Sequence, residues 1–477
     1  METDSAAMSA LTDPKPVMSM AALPRAARRR IWGWWAFDWA SQPYFTLCLT
    51  FVFGPYFAAV ATESFMNSGL TEQVADARAQ SLWSLGQTVS GIVIALCAPI
   101  LGAFADNTGR RMPWIVLFSI FYIVGAASLW FMLPDGSFLM GALIAFGIGL
   151  IGAEFTTIFT NSMLPELGDA SAIGRLSGTG FAWGYAGGVL ALFVMLIFFA
   201  EGEGGTTFVG FEPALGLDPE MREGTRFVGP FVALWYAVFM IPFFLWVREP
   251  RRPATHPNFG AALHDLWQTV RGLPRRVSLF AYLGSSMFYR DALNALYGFG
   301  GTYAVLVLDW SITQVGIFGI AGAMTSALAT WLGGRADSAL GPKPVIVASI
   351  VTLIAVCALV LGMTRESLWG IALSEGSAVP DVTFYICGAI IGGAGGVLQS
   401  ASRSMMVRHA PPARPTEAFG LYALSGKATA FIGPALIGLT TWITESARLG
   451  MLPLIALFAL GLVLLFWVNP KGEGGPA

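Results

Sequence analysis

Five ionisable side chains, Asp38, Glu154, Arg290, Asp291 and Lys427, stand inside long apolar stretches of this 477-residue chain. A charge at the centre of a bilayer costs roughly 2.5–3.5 kcal/mol, so those that persist there usually act on a solute or an ion. Their neighbours along the helix are polar. Glu154, Thr157 and Asn161 follow i, i+3, i+7; Arg290, Asn294 and Tyr297 follow i, i+4, i+7; Gln399 and Arg403 are four apart. Such a mixed-sign set suits a zwitterion. Arg290 or Lys427 would neutralise an anionic group such as a carboxylate, and Asp38, Glu154 or Asp291 would carry a proton. Asp38 or Glu154 would bridge to Arg290 or Lys427. Adjacent Arg290 and Asp291 do not share a face, so each needs its own partner. The alternative for each charge is a buried ion pair that only fixes helix packing. There is no HExxH, P-loop or nucleophile elbow, and Cys48, Cys97, Cys357 and Cys387 lack metal-ligand spacing. No catalytic residue, cofactor or metal is therefore expected.

The elements that position these charges are membrane spans. The chain is 55% apolar and 12% charged, against about 25% charged in soluble domains. Stretches of roughly 20 apolar residues predict twelve spans: 32–61, 80–104, 113–133, 138–163, 177–200, 228–247, 277–306, 313–334, 344–363, 384–407, 418–443 and 450–468. Gly392, Gly393, Gly395 and Gly396 thin the tenth. Trp32, Trp34 and Trp35 occupy the place of an interfacial aromatic belt. Basic residues gather on one side, among them Arg28–Arg30, Arg110, Arg111, Arg175, Arg248, Arg251, Arg252, Arg271, Arg275, Arg276, Lys343 and Arg408. That bias predicts both termini in the cytoplasm. The expected domains are a disordered tail (1–27), a six-span half (28–247), a linker (248–276), a second six-span half (277–469) and a short tail (470–477). In the linker, Phe259, Leu263, Leu266, Val270 and Leu273 recur at helical spacing, as in an amphipathic interfacial helix. The net charge of −2 argues for no nucleic-acid partner. Absent Asn-x-Ser/Thr sequons and few Lys against Arg lean towards a bacterial inner membrane.

One loop pattern occurs twice. After the second span come Gly102, Asp106, Gly109, Arg110 and Arg111; after the eighth come Gly333, Asp337, Gly341 and Lys343. The same pattern at the same place in each half is what a duplicated transporter predicts. Both loops resemble the signature Gly-x-x-x-Asp-Arg/Lys-x-Gly-Arg-Arg/Lys of the major facilitator superfamily. The first departs at Asn107 and the second has one extra residue before Gly341. Trp34–Ala40, Met163–Leu167, Gly174–Gly178, Tyr289–Leu296, Gln399–Ser404 and Phe419–Lys427 resemble, more closely, the bacterial branch of the autophagy-related vacuolar amino-acid effluxer family. That branch has Asn where this chain has Arg290.

The resemblance implies an all-α membrane protein of two pseudo-symmetric six-helix bundles, with spans 1, 4, 7 and 10 lining a central cavity. It implies that Asp106 and Asp337 cap neighbouring helices and pair with cations to latch the halves. It further implies alternating access for a small solute, amino acids or short peptides, exported with proton coupling. The rivals are proton-coupled efflux of amphipathic drugs or lipids, and a membrane sensor that does not transport. The expected partners are the solute, the bilayer and protons, and the expected state is a monomer.

Overall fold

A bilayer core offers no water to backbone N–H and C=O groups, so a spanning chain must satisfy them within helices. The computed structural model describes residues 20, 23–202, 204–249, 259–310, 312–374, 376–446 and 448–473. Most of the expected N-terminal tail, Arg251, Arg252 and His256 of the linker, and residues 474–477 lie outside them. The helices are α1 (Arg25–Pro43), α2 (Phe53–Asn67), α3 (Glu72–Thr108), α4 (Met112–Ser128), α5 (Leu139–Asn161), α6 (Ala170–Phe198), α7 (Val228–Phe239), α8 (Ile241–Trp246), α9 (Phe259–Gly272), α10 (Val277–Leu308), α11 (Ile312–Leu340), α12 (Pro342–Leu361), α13 (Val379–His409), α14 (Pro415–Lys427), α15 (Ile432–Thr444) and α16 (Leu452–Leu464). A short hairpin, Ser367–Leu368 with Ile371–Ala372, sits between α12 and α13.

Among the described residues, ten helical segments are long and apolar enough to cross a membrane. The other two expected spans are also helical. α10 is diluted by Arg290 and Asp291. The eleventh is broken into α14 and α15, each 13 residues and short of a span alone. The break has a local cause. Pro434 has no N–H and its ring clashes with the carbonyl four residues back, so the helix restarts just before it. Pro55 stands at the same place in the first span, the third residue of α2, after wide turns over Tyr44–Phe51 that separate it from α1.

The two halves meet most closely where side chains vanish. A Cβ on Gly178 of α6 would lie 2.5 Å from Gly334 Cα of α11, and one on Gly102 of α3 would lie 2.6 Å from the Thr416 carbonyl of α14. Gly109 (φ +67°) ends α3 and Gly341 (φ +85°) separates α11 from α12, both in the left-handed region that favours glycine. The linker helix α9 forms as expected; Leu266 is buried, and Asp265 pairs with Arg414 at 2.9 Å. The aromatic belt needs correction. Only Trp32 is exposed; Trp34 and Trp35 are buried because their indoles donate to the Thr160 and Leu176 carbonyls at 2.9 and 3.0 Å.

Candidate functional site

Midway along the bundle, Lys427 Nζ at the end of α14 donates to Glu154 Oε1 of α5 at 2.6 Å. The side chains remain 27% and 18% exposed, so a solute could displace the contact. Beside them, Arg290 of α10 lies over the Tyr422 ring at 4.2 Å and donates to the Tyr422 carbonyl at 2.9 Å. Gly426 makes room for it: a Cβ there would stand 2.4 Å from Arg290 Cζ. Among the described residues no carboxylate forms an ion pair with Arg290. Asn294 and Tyr297, on the same face of α10, are exposed. Gln399 of α13 donates to the Tyr185 hydroxyl of α6 at 3.2 Å. Glu154, Arg290, Asn294, Gln399 and Lys427 therefore come from both halves.

A second cluster lies nearer the end of the bundle that carries both chain ends. Arg403 of α13 is 3% exposed and Asp38 of α1 is 12% exposed. Arg403 Nη1 and Nη2 donate to the Asp38 carboxylate at 3.2 Å, and Nη1 reaches Asn161 Oδ1 at 3.1 Å. Nε and Nη2 donate to the Ser177 hydroxyl and carbonyl at 2.9 and 2.8 Å. The guanidinium also lies over Phe181 at 4.2 Å. Asp38 thus pairs with neither Arg290 nor Lys427, and Asn161 joins Arg403 rather than Glu154. Arg403 was not among the five charges singled out. Its signal was present: it falls inside the predicted tenth span, between Ser402 and Ser404. Asp291 belongs to neither cluster. It is 1% exposed, and neither carboxylate oxygen has a hydrogen-bond partner among the described residues.

The two signature loops differ. Asp106 Oδ2 accepts the Glu417 N–H in the first turn of α14 at 2.8 Å, the expected helix cap, but it forms no ion pair among the described residues. The cation work falls to Arg111, which pairs with Glu249 at 2.7 Å and with Glu166; Glu166 also holds Arg30 at 2.8 Å. Burial weakens the Arg111 guanidinium, yet the two carboxylates outweigh it and hold it above its usual value. These pairs stay within the first half and the start of the linker, and Arg110 is exposed. Asp337 is buried against Gly174 with both oxygens unpartnered among the described residues. Its neighbour Ser338 accepts the Arg175 N–H at 2.8 Å. Lys343 donates to the Val468 carbonyl at 2.8 Å, and Gly333 faces Val397, so both residues contact their own half. Hydrogen bonds from the Thr416 hydroxyl to the Ser162 hydroxyl (3.2 Å) and from Ser177 to the Ser400 carbonyl (2.9 Å) help shut the end that carries both termini.

Two six-helix sets closed over a charged midplane define the class: a transporter of the major facilitator fold. The fold matches the proton:xylose symporter XylE bound to 6-bromo-6-deoxy-D-glucose with a TM-score of 0.66 at 13% identity, over 92% of this chain and 95% of that one. It matches the E. coli fucose:proton symporter FucP with a TM-score of 0.62 at 13% identity, over 92% and 98%. Residues 26–473 match the family model described as vacuole effluxer Atg22 like, and the chain belongs to that family. The uncharacterized MFS-type transporter YxiO of Bacillus subtilis is 24% identical over 91% of this chain and 94% of that protein. Autophagy-related protein 22-2 of Emericella nidulans is 25% identical over 65% of this chain and 53% of its own length. The chain spans about half the length of that fungal relative.

Proposed function

We propose that this protein is a secondary active transporter that exports a small zwitterionic solute, an amino acid or short peptide, by proton-coupled alternating access. The observation that carries the reading is the partly exposed Glu154–Lys427 contact between the halves, 2.6 Å long, next to an Arg290 that pairs with no carboxylate among the described residues. A solute carboxylate would dock on Arg290, and its ammonium would compete with Lys427 for Glu154. Breaking that bridge would free the halves to rock about the midplane, where such transporters bind their substrates. The shut end would face the cytoplasm, following the basic bias. The vacuole effluxer description of the family supports export, and the proton-linked names of its structural neighbours suit proton coupling.

The test is release of mixed radiolabelled amino acids from liposomes containing the purified protein, with and without a pH gradient. Release that needs both protein and gradient supports the reading. No release from folded, inserted protein overturns the amino-acid assignment and leaves the fold untouched.

A further inference from the structure

Buried carboxylates are normally paired or hydrogen-bonded, because an isolated charge loses its hydration without compensation. Asp38 and Glu154 follow that rule; Asp291 does not. It is 1% exposed, and neither oxygen makes a hydrogen bond among the described residues, although the Thr429 hydroxyl lies beside it. The groups around it are few. Arg290 is the next residue, but its guanidinium is engaged over Tyr422. Lys427 is held by Glu154. α15 and α16, which pack against α10, carry no ionisable residue; those of α13 and α14, which also pack against it, are engaged elsewhere, Asp381 with Trp310, Arg403 with Asp38, Arg408 with the Pro470 carbonyl, His409 with Ser278 and Glu417 with Arg414.

Asp291 lies beside the break in the eleventh span. Gly433 at the start of α15 sits against it, since a Cβ there would approach the Asp291 carbonyl to 3.1 Å. The regular ladder ends with Ala428 N–H on the Leu424 carbonyl at 2.9 Å and resumes with Ile432 N–H on Thr429 at 2.7 Å. The Thr429 hydroxyl is the polar side chain next to the carboxyl, and it points to the Ser425 carbonyl at 3.4 Å. Irregular backbone at membrane depth is tolerated mainly where it serves a cavity or an ion.

Taking the chain as the proton-coupled transporter proposed above, we infer that Asp291 and the interrupted turn at 428–431 form its proton site, separate from the solute-facing charges. One carboxyl beside one hydroxyl suffices for a proton, whereas a sodium ion would also need the free carbonyls of the broken turn as ligands. The bound proton neutralises the carboxyl and removes the unmet desolvation. Its release leaves a charge that must recruit donors or water from the broken turn. Lys427 ends α14 immediately before that turn, so a rearrangement there reaches the Glu154 bridge directly.

Infrared difference spectroscopy of the full protein in liposomes tests this without any solute. At mildly acidic pH the wild type is expected to show carbonyl bands of protonated carboxylic acids; with the other buried carboxyl unpartnered among the described residues removed by Asp337→Asn, adding Asp291→Asn is expected to abolish the band that remains. pH-driven accumulation of labelled amino acids should fall in Asp291→Asn to the level without a gradient. Should Asp291→Asn not fold, Thr429→Val reads the same site, its band persisting to higher pH because the neighbouring hydroxyl is gone. An unchanged band in Asp291→Asn overturns the inference. Loss of the band on adding sodium at constant pH overturns the proton in favour of sodium. A wild type that moves no amino acid but keeps the Asp291 band defeats only the transporter reading.

Discussion

Among the described residues, two opposite-sign pairs bridge the halves of this molecule, and they are built differently. Arg403 is nearly sealed, its donors spread over Asp38, Asn161 and Ser177 with an aromatic face beneath it. The Glu154–Lys427 pair rests on one contact with both side chains partly open. A buried charge with every donor used is hard to disturb, whereas a single half-exposed contact can be exchanged for a ligand. The first therefore reads as a fastener and the second as the site.

The largest effect expected follows from removing the fastener. Arg403→Ala leaves Asp38 buried and uncompensated, and should destabilise by about 3–5 kcal/mol, measured as unfolding of detergent-solubilised protein. The midplane should behave in the opposite way. Arg290→Ala or Lys427→Met should lower amino-acid flux by about ten-fold or more and move unfolding little. Equal loss of stability in both sets would erase the distinction. The two signature loops offer a smaller contrast. Asp106→Ala removes the cap on α14 and should cost about 1 kcal/mol, while Asp106→Asn keeps the acceptor and most of the stability. Asp337→Asn neutralises a carboxylate with no donor and should raise the unfolding midpoint instead. The smallest change is Gly426→Ala, which pushes Arg290 off Tyr422 and should raise the KM for the labelled solute a few-fold with kcat and unfolding nearly unchanged.

Much of this was legible before any coordinates. Lipid forces regular helices, so apolar length and composition located the spans. The penalty on membrane-embedded charge singled out Glu154, Arg290 and Lys427, which the structure brings together. The signature spacing led to Asp106, which does cap α14. Other features were hidden for identifiable reasons. Apolar length alone runs 418–443 together as one span, although Pro434 marks the break at 428–431. Trp34 and Trp35 were placed at the interface because sequence does not show that a carbonyl waits for each indole.

The sequence by itself determined that this chain lives in a bilayer, where its apolar stretches lie and which charges they must carry, because those follow from local length, polarity and the absence of water. Only the tertiary structure decided which charge meets which. Asp38 and Arg403 are 365 residues apart. Whether Asp291 has a donor depends on how α15 and α16 rotate against α10. Pairing across helices is a property of packing, in which small shifts of register or rotation exchange one partner for another.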